Sequence, residues 1–222
     1  MNEAYERTLP PAQRGNIVFL NGTSSAGKSS IAQALQEVME APYLHTGIDH
    51  FLERFPVRFH VKSDGADPAT AAGFLWVCPD GQTLAELRIG PLGLRLLVGM
   101  YRAVAGLAAA GNDVILDDVV YDPRVLNAAV DVLYQFPVLF VGVRCPLEVA
   151  QRRERERGDR MQGLVQAHYA LVHAHGVYDL ELDTAVLSPL DCALRIKAAL
   201  DAGHPRAAFV RLKQMRSSKP CR

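Results

Sequence analysis

Short apolar runs without polar alternation recur along the chain, and most of them are followed by apolar residues at helical spacing. Unbroken apolar runs are typical of strands buried on both faces of a sheet, whereas apolar residues three and four positions apart predict amphipathic helices. The expected strands lie at 16–20, 42–46, 113–116, 138–143 and 178–182. The expected helices lie at 29–39, 49–55, 92–110, 123–133, 146–157, 164–174 and 188–202. This alternation predicts βαβ units, and therefore a three-layer α/β sandwich with a parallel sheet.

Two segments do not follow this alternation. Gly, Pro and Asp cluster in 56–90, where an apolar run at 74–77 followed by Pro-Asp-Gly predicts a small hairpin. Because ligands bind at the carboxyl ends of parallel strands, we expect 56–90 to be an insertion over the substrate side of the sheet. Residues 205–222 are rich in basic side chains and are predicted to form a flexible tail. The chain is therefore expected to be one domain over 1–222, with a core at about 16–203.

Charge and cysteine content exclude several classes of protein. The 222 residues include 24 Lys and Arg and 24 Asp and Glu, whereas a general nucleic-acid or polybasic membrane binder normally has a basic excess. Four widely separated cysteines argue against a zinc knot or a disulfide framework and fit a reducing cytosol. The first residues lack the apolar core of a secretory signal, and Arg95 and Arg102 interrupt the long apolar stretch at 92–110. We expect a cytoplasmic protein without nucleic-acid or membrane partners.

One glycine-rich turn matches the phosphate-loop pattern G-x-x-x-x-G-K-[ST] at every specified position. A plain glycine turn is the alternative, but this one falls between a predicted buried strand and a predicted helix. Its glycines let backbone N–H groups approach a triphosphate, and the helix N-terminus adds a partial positive charge. Lys28 would reach the β- and γ-phosphates, and the Ser29 hydroxyl would bind Mg²⁺. The expected nucleotide-binding residues are Gly22, Thr23, Ser24, Ser25, Ala26, Gly27, Lys28, Ser29 and Ser30.

Carboxylates end two of the predicted strands. Asp117 and Asp118 close the apolar run 114–116, where an acidic residue would hold Mg²⁺ beside Ser29; a turn or a helix cap is the alternative for either residue. Asp49 follows the second strand and is placed to orient an acceptor hydroxyl and take its proton. Its local sequence fits a helix N-cap equally well. The pattern leaves open which of Asp117 and Asp118 faces the metal.

An arginine-rich stretch follows the fourth strand. Signs alternate from 152 to 160, which is typical of a solvated helix with internal ion pairs. Gly158-Asp159 breaks that helix, however, and Arg157 and Arg160 flank the break. We expect a mobile lid at about 152–163 whose arginines meet the transferred phosphate and exclude water.

The ordered set of motifs resembles the chloramphenicol phosphotransferase family over residues from about 16 to 200. The motifs are Asn21-Gly22, Ser24-Ser25-Ala26-Gly27-Lys28-Ser29, Gly47-Ile48-Asp49, Ile115-Leu116-Asp117-Asp118-Val119, Val141-Gly142-Val143-Arg144-Cys145, Arg157-Gly158-Asp159-Arg160, Tyr178-Asp179 and Asp183-Thr184. The resemblance implies an ATP-dependent kinase with a nucleoside-monophosphate-kinase-like P-loop fold. In that family the primary hydroxyl of the antibiotic is phosphorylated, which inactivates the drug. The resemblance further implies that Asp49 is the general base and that Arg153, Arg157 and Arg160 lie in the lid.

The sequence therefore predicts an ATP- and Mg²⁺-dependent phosphotransferase acting on a hydroxyl of a small molecule, with chloramphenicol as the family's acceptor. Asp49, Lys28, Arg157 and Arg160 are the expected catalytic residues, and Arg153 joins the nucleotide-binding set. Ser29, Asp117 and Asp118 are the expected metal ligands.

The acceptor itself stays open, because 56–90 and the tail after Gly203 depart from the family pattern. Trp76 with Phe74 could line an aromatic acceptor pocket or pack in a small core. A sugar, a nucleotide or a nucleotide-sugar is an alternative acceptor. A nucleotide-dependent regulatory module is the alternative to an enzyme. The sequence does not indicate the oligomeric state.

Overall fold

A computed structural model describes residues 13–63, 72–80, 83–158 and 161–217. The strands are β1 (Ile17–Asn21), β2 (Tyr43–Gly47), β3 (His60–Ser63), β4 (Phe74–Val77), β5 (Glu86–Ile89), β6 (Asp113–Asp118), β7 (Val138–Arg144) and β8 (Leu180–Asp183). The helices are α1 (Lys28–Val38), α2 (Ile48–Leu52), α3 (Pro91–Ala109), α4 (Pro123–Leu133), α5 (Leu147–Arg157), α6 (Leu164–Tyr169), α7 (Pro189–Asp201) and α8 (Ala208–Ser217).

Five parallel strands form the main sheet in the order β2-β6-β1-β7-β8. The central strand β1 is buried along its whole length, as its unbroken apolar sequence requires. In the registers of the sheet, Asn21 at the end of β1 lies opposite Asp118 and Gly142. The chain passes to one side of β1 for β2 and β6 and to the other for β7 and β8. Ligands of open parallel sheets bind at the carboxyl ends of the strands, at such a reversal.

Side chains alternate along β1 and build one core on each face of the sheet. Ile17 and Phe19 pack with α3, α4 and α8, whereas Val18 and Leu20 pack with α1 and α7. This period of two is that of a strand whose faces are both covered by helices. The predicted three-layer α/β sandwich is thereby confirmed.

The segment 56–90 forms a second, smaller sheet in the order β3-β4-β5. The expected hairpin is present as the antiparallel pair β4 and β5, while β3 runs parallel to β4 and was not expected. Strand β3 has the sequence His-Val-Lys-Ser and is only partly buried, so no apolar run marks it. Phe74 of β4 is buried in the core under α3, whereas Trp76 is only partly buried.

The C-terminal segment differs from the flexible tail that its composition predicts. Residues 208–217 form α8, which buries Ala208, Phe209 and Leu212 against the sheet. The side chain of Asp179 accepts the N–H groups of Ala207 and Ala208, both at 2.8 Å, and so caps the helix from a distant part of the chain. The prediction of a loose tail is wrong for 208–217, because the cap and the packing surface are both remote in sequence.

Helix α6 is shorter than the predicted 164–174, since it ends at Tyr169 and turns follow. The Asn21 side chain donates a hydrogen bond of 3.0 Å to the Val172 carbonyl. That carbonyl is therefore engaged by the end of β1. The helical pattern of 170–174 is overridden by this tertiary contact.

Within the described residues, α3 is the helix long and apolar enough to cross a membrane, by length and composition alone. Leu97, Met100, Val104 and Ala108 of α3 lie in the core. Leu96 packs against this core as a partly buried side chain. Helices of this length and composition also occur in the cores of proteins that do not cross a membrane.

Candidate active site

The turn between β1 and α1 has the backbone shape of a phosphate loop. A side chain at Gly22 would bring its Cβ within 2.5 Å of the Val143 carbonyl oxygen, so only glycine fits there. Ser25 and Gly27 have positive φ angles of 58° and 93°, which turn the chain into the helix. Helix α1 begins at Lys28 without a side-chain cap, so its first N–H groups are available to an anion.

The polar atoms of this turn are arranged for a ligand with many acceptor oxygens. The hydroxyl oxygens of Thr23, Ser24 and Ser25 are buried and have no hydrogen-bond partner among the described residues. Lys28 is also buried, and its Nζ donates to the Thr23 carbonyl at 3.0 Å. Because buried hydroxyl groups in proteins are nearly always hydrogen-bonded, these three call for a partner. Phosphate oxygens would supply it, and the loop fits a nucleotide's phosphate tail.

Asp117 lies beside the first turn of α1. Its Oδ2 accepts hydrogen bonds from the Ser29 hydroxyl at 2.8 Å and shares a contact of 3.1 Å with Nε2 of His45. Burial alone would raise the pKa of Asp117, but the hydrogen bond from His45, the charge of Lys28 and the Ser29 hydroxyl outweigh it and lower that pKa. An ionised carboxylate next to a serine hydroxyl is a donor set that fits Mg²⁺.

Asp118 points to the opposite face of β6, because neighbouring residues on a strand alternate. Its Oδ2 accepts a hydrogen bond from the Tyr101 hydroxyl at 2.6 Å, and its Oδ1 accepts the N–H of Val119 at 2.7 Å. Burial raises the pKa of Asp118 to about 6. Asp118 therefore lies on the α3 side of the sheet, away from Ser29. The expectation that Asp118 also holds the metal is corrected by this geometry.

Two cavities meet at Asp49. The first, of about 350 Å³, is lined by the phosphate loop and Asp117. The second, of about 570 Å³, lies between α2, the small sheet and α6. Both are lined by Ile48, Asp49, Val119 and Arg157. Asp49 occupies the first turn of α2, directly after β2, so its carboxylate borders both spaces. This position allows one side chain to contact groups held in either cavity.

The arginines of α5 differ in position. Arg153 lies against the phosphate loop, where its guanidinium donates to the Thr184 hydroxyl at 3.1 Å and to the Thr184 carbonyl at 2.8 Å. The Thr184 hydroxyl in turn donates to the Ala26 carbonyl at 2.8 Å. Arg157 at the end of α5 is exposed and lines both cavities. Arg160 lies outside the described residues, and so does part of the expected lid.

Several lining residues are not among the predicted site residues. In the first cavity they include three residues that follow β8, namely Thr184, Leu187 and Pro189. The rule that ligands lie at strand carboxyl ends could have identified this segment. In the second cavity they include Tyr121, Met161, Leu164 and His168, together with Trp76. Trp76 thus borders the cavity, while Phe74 packs in the core. Nothing in the local sequence of α6 distinguishes His168.

Comparisons with known proteins agree with one another. The family described as chloramphenicol phosphotransferase-like protein matches residues 15–201. Two Mycobacterium tuberculosis proteins, from strains CDC 1551 / Oshkosh and H37Rv and each provisionally named an O-phosphotransferase, are 32% identical over 206 residues, covering 90% of this chain and 88% of theirs.

Solved kinase structures have the same fold. The APS kinase CysC of Mycobacterium tuberculosis, solved with AMPPNP and APS, aligns with a TM-score of 0.58 at 17% identity over 86% of this chain and 99% of that one. A sugar kinase from Janibacter sp. HTCC2649 also aligns with a TM-score of 0.58, at 20% identity over 85% of this chain and 95% of that one.

Proposed function

The chain belongs to the chloramphenicol phosphotransferase-like family and has a P-loop kinase fold, and from that premise we propose that it transfers the terminal phosphoryl group of ATP to a hydroxyl group of a small molecule. The position of Asp49 carries this proposal, because its carboxylate borders both the phosphate-loop cavity and the second cavity. A nucleotide in the first cavity and an acceptor in the second would meet at this side chain.

The nucleotide is assigned to the first cavity. The turn from Gly22 to Ser30 surrounds the phosphates, with the orphaned hydroxyls and Lys28 as donors. Arg153, Leu187 and Pro189 line the same space beyond the loop and are assigned to the rest of the nucleotide. Ser29 and Asp117 would hold Mg²⁺, which when bound neutralises phosphate charge and orients the phosphate oxygens. Asp117 is the sole acidic ligand in this assignment.

Asp49 acts as the base in the proposed reaction. Its carboxylate orients the acceptor hydroxyl and takes its proton as the hydroxyl oxygen forms a bond to the γ-phosphorus. The bond from the γ-phosphorus to the β–γ bridging oxygen breaks, and ADP leaves with that oxygen. Lys28 and Arg157, with Arg160 as expected from sequence, stabilise the charge on the transferred group. Such a site works through positioning and electrostatic stabilisation.

The acceptor is assigned to the second cavity, whose volume is in the usual range for small-molecule sites. We take chloramphenicol as the first acceptor, since it is the one named by the family. Antibiotic inactivation would follow from phosphorylation of its primary hydroxyl. The expected location in the cytoplasm, and the absence of nucleic-acid and membrane partners, remain predictions from sequence.

Measurement of ADP release with Mg·ATP and a panel of acceptors tests this function. The panel contains chloramphenicol, gluconate, shikimate and a nucleotide-sugar, and mass spectrometry identifies any phosphorylated product. Phosphorylated chloramphenicol would support both the kinase activity and chloramphenicol as the acceptor. Phosphorylation of another compound of the panel alone would support the kinase activity and assign that compound as the acceptor instead. ADP release that no acceptor stimulates would contradict the proposal and favour a regulatory module.

A further inference from the structure

Two stacked rings form part of the wall of the second cavity. His168 of α6 and Tyr121, just after β6, have ring centroids 4.2 Å apart and ring planes within 13° of parallel. Only 3% of the His168 surface is exposed. Both of its ring nitrogens and the Tyr121 hydroxyl are buried without a hydrogen-bond partner among the described residues. The orphaned hydroxyl of Ser24 lines the same cavity.

Orphaned atoms at a cavity wall are unusual in folded proteins. Most buried side-chain polar atoms form a hydrogen bond. A buried polar atom without one therefore indicates a hydrogen-bond partner that is not part of the chain. Burial, with the charge of Lys28 acting in the same direction, lowers the pKa of His168 to about 4. The ring is therefore neutral near pH 7, with one donor nitrogen and one acceptor nitrogen. With the Tyr121 hydroxyl, which also donates and accepts, the pair offers hydrogen bonds without net charge.

The remaining wall of the cavity indicates the kind of molecule that fits. Apolar side chains supply much of it, and these are Ile48, Leu52, Trp76, Leu87, Val119, Met161 and Leu164. Apart from Asp49 and Arg157 at the reacting end, the lining carries one acidic residue, Glu53, and two basic residues, His60 and Lys62, besides His168. Among these described residues the two carboxylates, Asp49 and Glu53, match the two permanent cations, Arg157 and Lys62, so the lining offers no excess of permanent positive charge to a strongly anionic acceptor. A neutral molecule with an apolar or aromatic body matches the lining.

We infer that His168 and Tyr121 are the polar recognition point of the acceptor site. This inference rests on the proposed function. The acceptor packs its body beside Trp76 and places its reacting hydroxyl at Asp49. A second polar group, such as a hydroxyl or an amide, bonds to His168 and Tyr121. These two residues are therefore assigned to acceptor specificity.

Trp76 provides a direct readout, because it is the single tryptophan of the chain and lines the cavity. Chloramphenicol is the neutral probe and shikimate the anionic probe, each titrated against tryptophan fluorescence with Mg·AMP-PNP present and free tryptophan as the optical control. His168→Phe keeps a stacked ring and removes both nitrogens, and Tyr121→Phe removes one hydroxyl. His175→Phe is the matched control, since His175 also stacks on an aromatic ring and has an orphaned nitrogen but does not line the cavity.

We expect chloramphenicol to bind saturably, His168→Phe to weaken it at least tenfold and Tyr121→Phe to weaken it several-fold. His168→Gln, which restores a donor and an acceptor, should recover part of the affinity. The His175→Phe variant should bind like the wild type, and Mg·AMP-PNP affinity should be the same in all variants.

Unchanged chloramphenicol affinity in both cavity variants would overturn the role of the pair, because it would mean that internal water satisfies these atoms. Saturable shikimate binding without chloramphenicol binding, or no binding of either probe to a nucleotide-loaded protein, would overturn the assigned acceptor class. Failure of the wild type to bind Mg·AMP-PNP would instead count against the proposed function. If His168→Phe does not fold, Tyr121→Phe alone decides.

Discussion

Two adjacent carboxylates, Asp117 and Asp118, have different environments because a strand sends neighbouring side chains to opposite faces. Asp117 faces α1 and contacts Ser29, whereas Asp118 faces α3 and contacts Tyr101. The two pKa values differ because of these environments. Cationic and hydrogen-bonding neighbours lower the pKa of Asp117, whereas burial raises the pKa of Asp118. The two residues therefore provide a matched pair of substitutions for locating the magnesium site.

We expect Asp117→Asn to weaken Mg²⁺-dependent binding of AMP-PNP by at least tenfold, because the amide removes the anionic ligand beside Ser29. Asp118→Asn should leave that affinity within about twofold. Calorimetric titrations with and without Mg²⁺ measure both effects. A comparable loss in the two variants would place Asp118 in the metal site after all.

Asp49 is the residue on which the proposed chemistry depends. Asp49→Asn keeps the size of the side chain but cannot accept a proton, so we expect ADP release with acceptor to fall by about 10²- to 10⁴-fold. Mg·AMP-PNP affinity should change little, because the loop is untouched. Normal turnover in this variant would remove Asp49 from the mechanism.

Helix α8 illustrates how an element can depend on contacts far along the chain. The helix has a short apolar face within a largely charged sequence. Its N-terminus is capped by the side chain of Asp179. Phe209 packs against Phe140 at 5.0 Å and Phe19 at 5.8 Å between ring centroids, so the helix closes the core under the central strands. Its contribution to stability should therefore be large.

Phe209→Ala should lower the free energy of unfolding by about 3–5 kcal/mol, because it leaves a cavity beside the rings of Phe19 and Phe140. Val210→Ala, in the same helix but at a residue with 43% of its surface exposed, should cost under about 1 kcal/mol. Thermal and denaturant unfolding of the two variants provides the comparison. Equal melting temperatures of the two variants would indicate that residues 208–217 form the loose tail that their composition predicts.

The turns after α6 should make stability depend on pH. Burial, with the charge of Arg144 acting in the same direction, lowers the pKa values of His173 and His175 to about 4 from 6.5. The folded state therefore binds fewer protons than the unfolded chain between these values. The stabilisation is complete above pH 6.5 and is lost as the pH falls towards 4.

We expect the double variant His173→Gln with His175→Gln to lose less unfolding free energy between pH 7 and pH 5 than the wild type. Denaturant titrations at the two pH values measure the difference. An identical loss in both proteins would show that these histidines are not linked to stability.

At the scale of the whole molecule, the site is assembled where the ends of β1, β2, β6 and β8 converge. The apolar runs predict all five strands of the main sheet to within two residues, and the loop motif predicts the turn between β1 and α1. The pairing of strands then places Ser29 and Asp117 together without further information. This part of the site follows from local pattern and from the general behaviour of parallel sheets.

The remainder could not be predicted because it depends on tertiary contacts. Strand β3 has no apolar pattern and exists by pairing with β4. His168 reaches the site because it stacks on Tyr121 and lines the same cavity as Ser24 of the phosphate loop. Nothing in its neighbouring residues distinguishes it from a histidine on an ordinary helix. The residues on the acceptor side of the site can therefore be identified from the three-dimensional structure but not from the sequence.

Calorimetric titration of Mg·AMP-PNP into the wild type and Lys28→Ala tests most directly whether the turn after β1 binds a nucleotide. The account predicts saturable binding by the wild type below millimolar nucleotide. In the variant it predicts binding at least tenfold weaker, with a melting temperature within a few degrees. No binding by the wild type at millimolar nucleotide, or equal affinity in the two proteins, would contradict it.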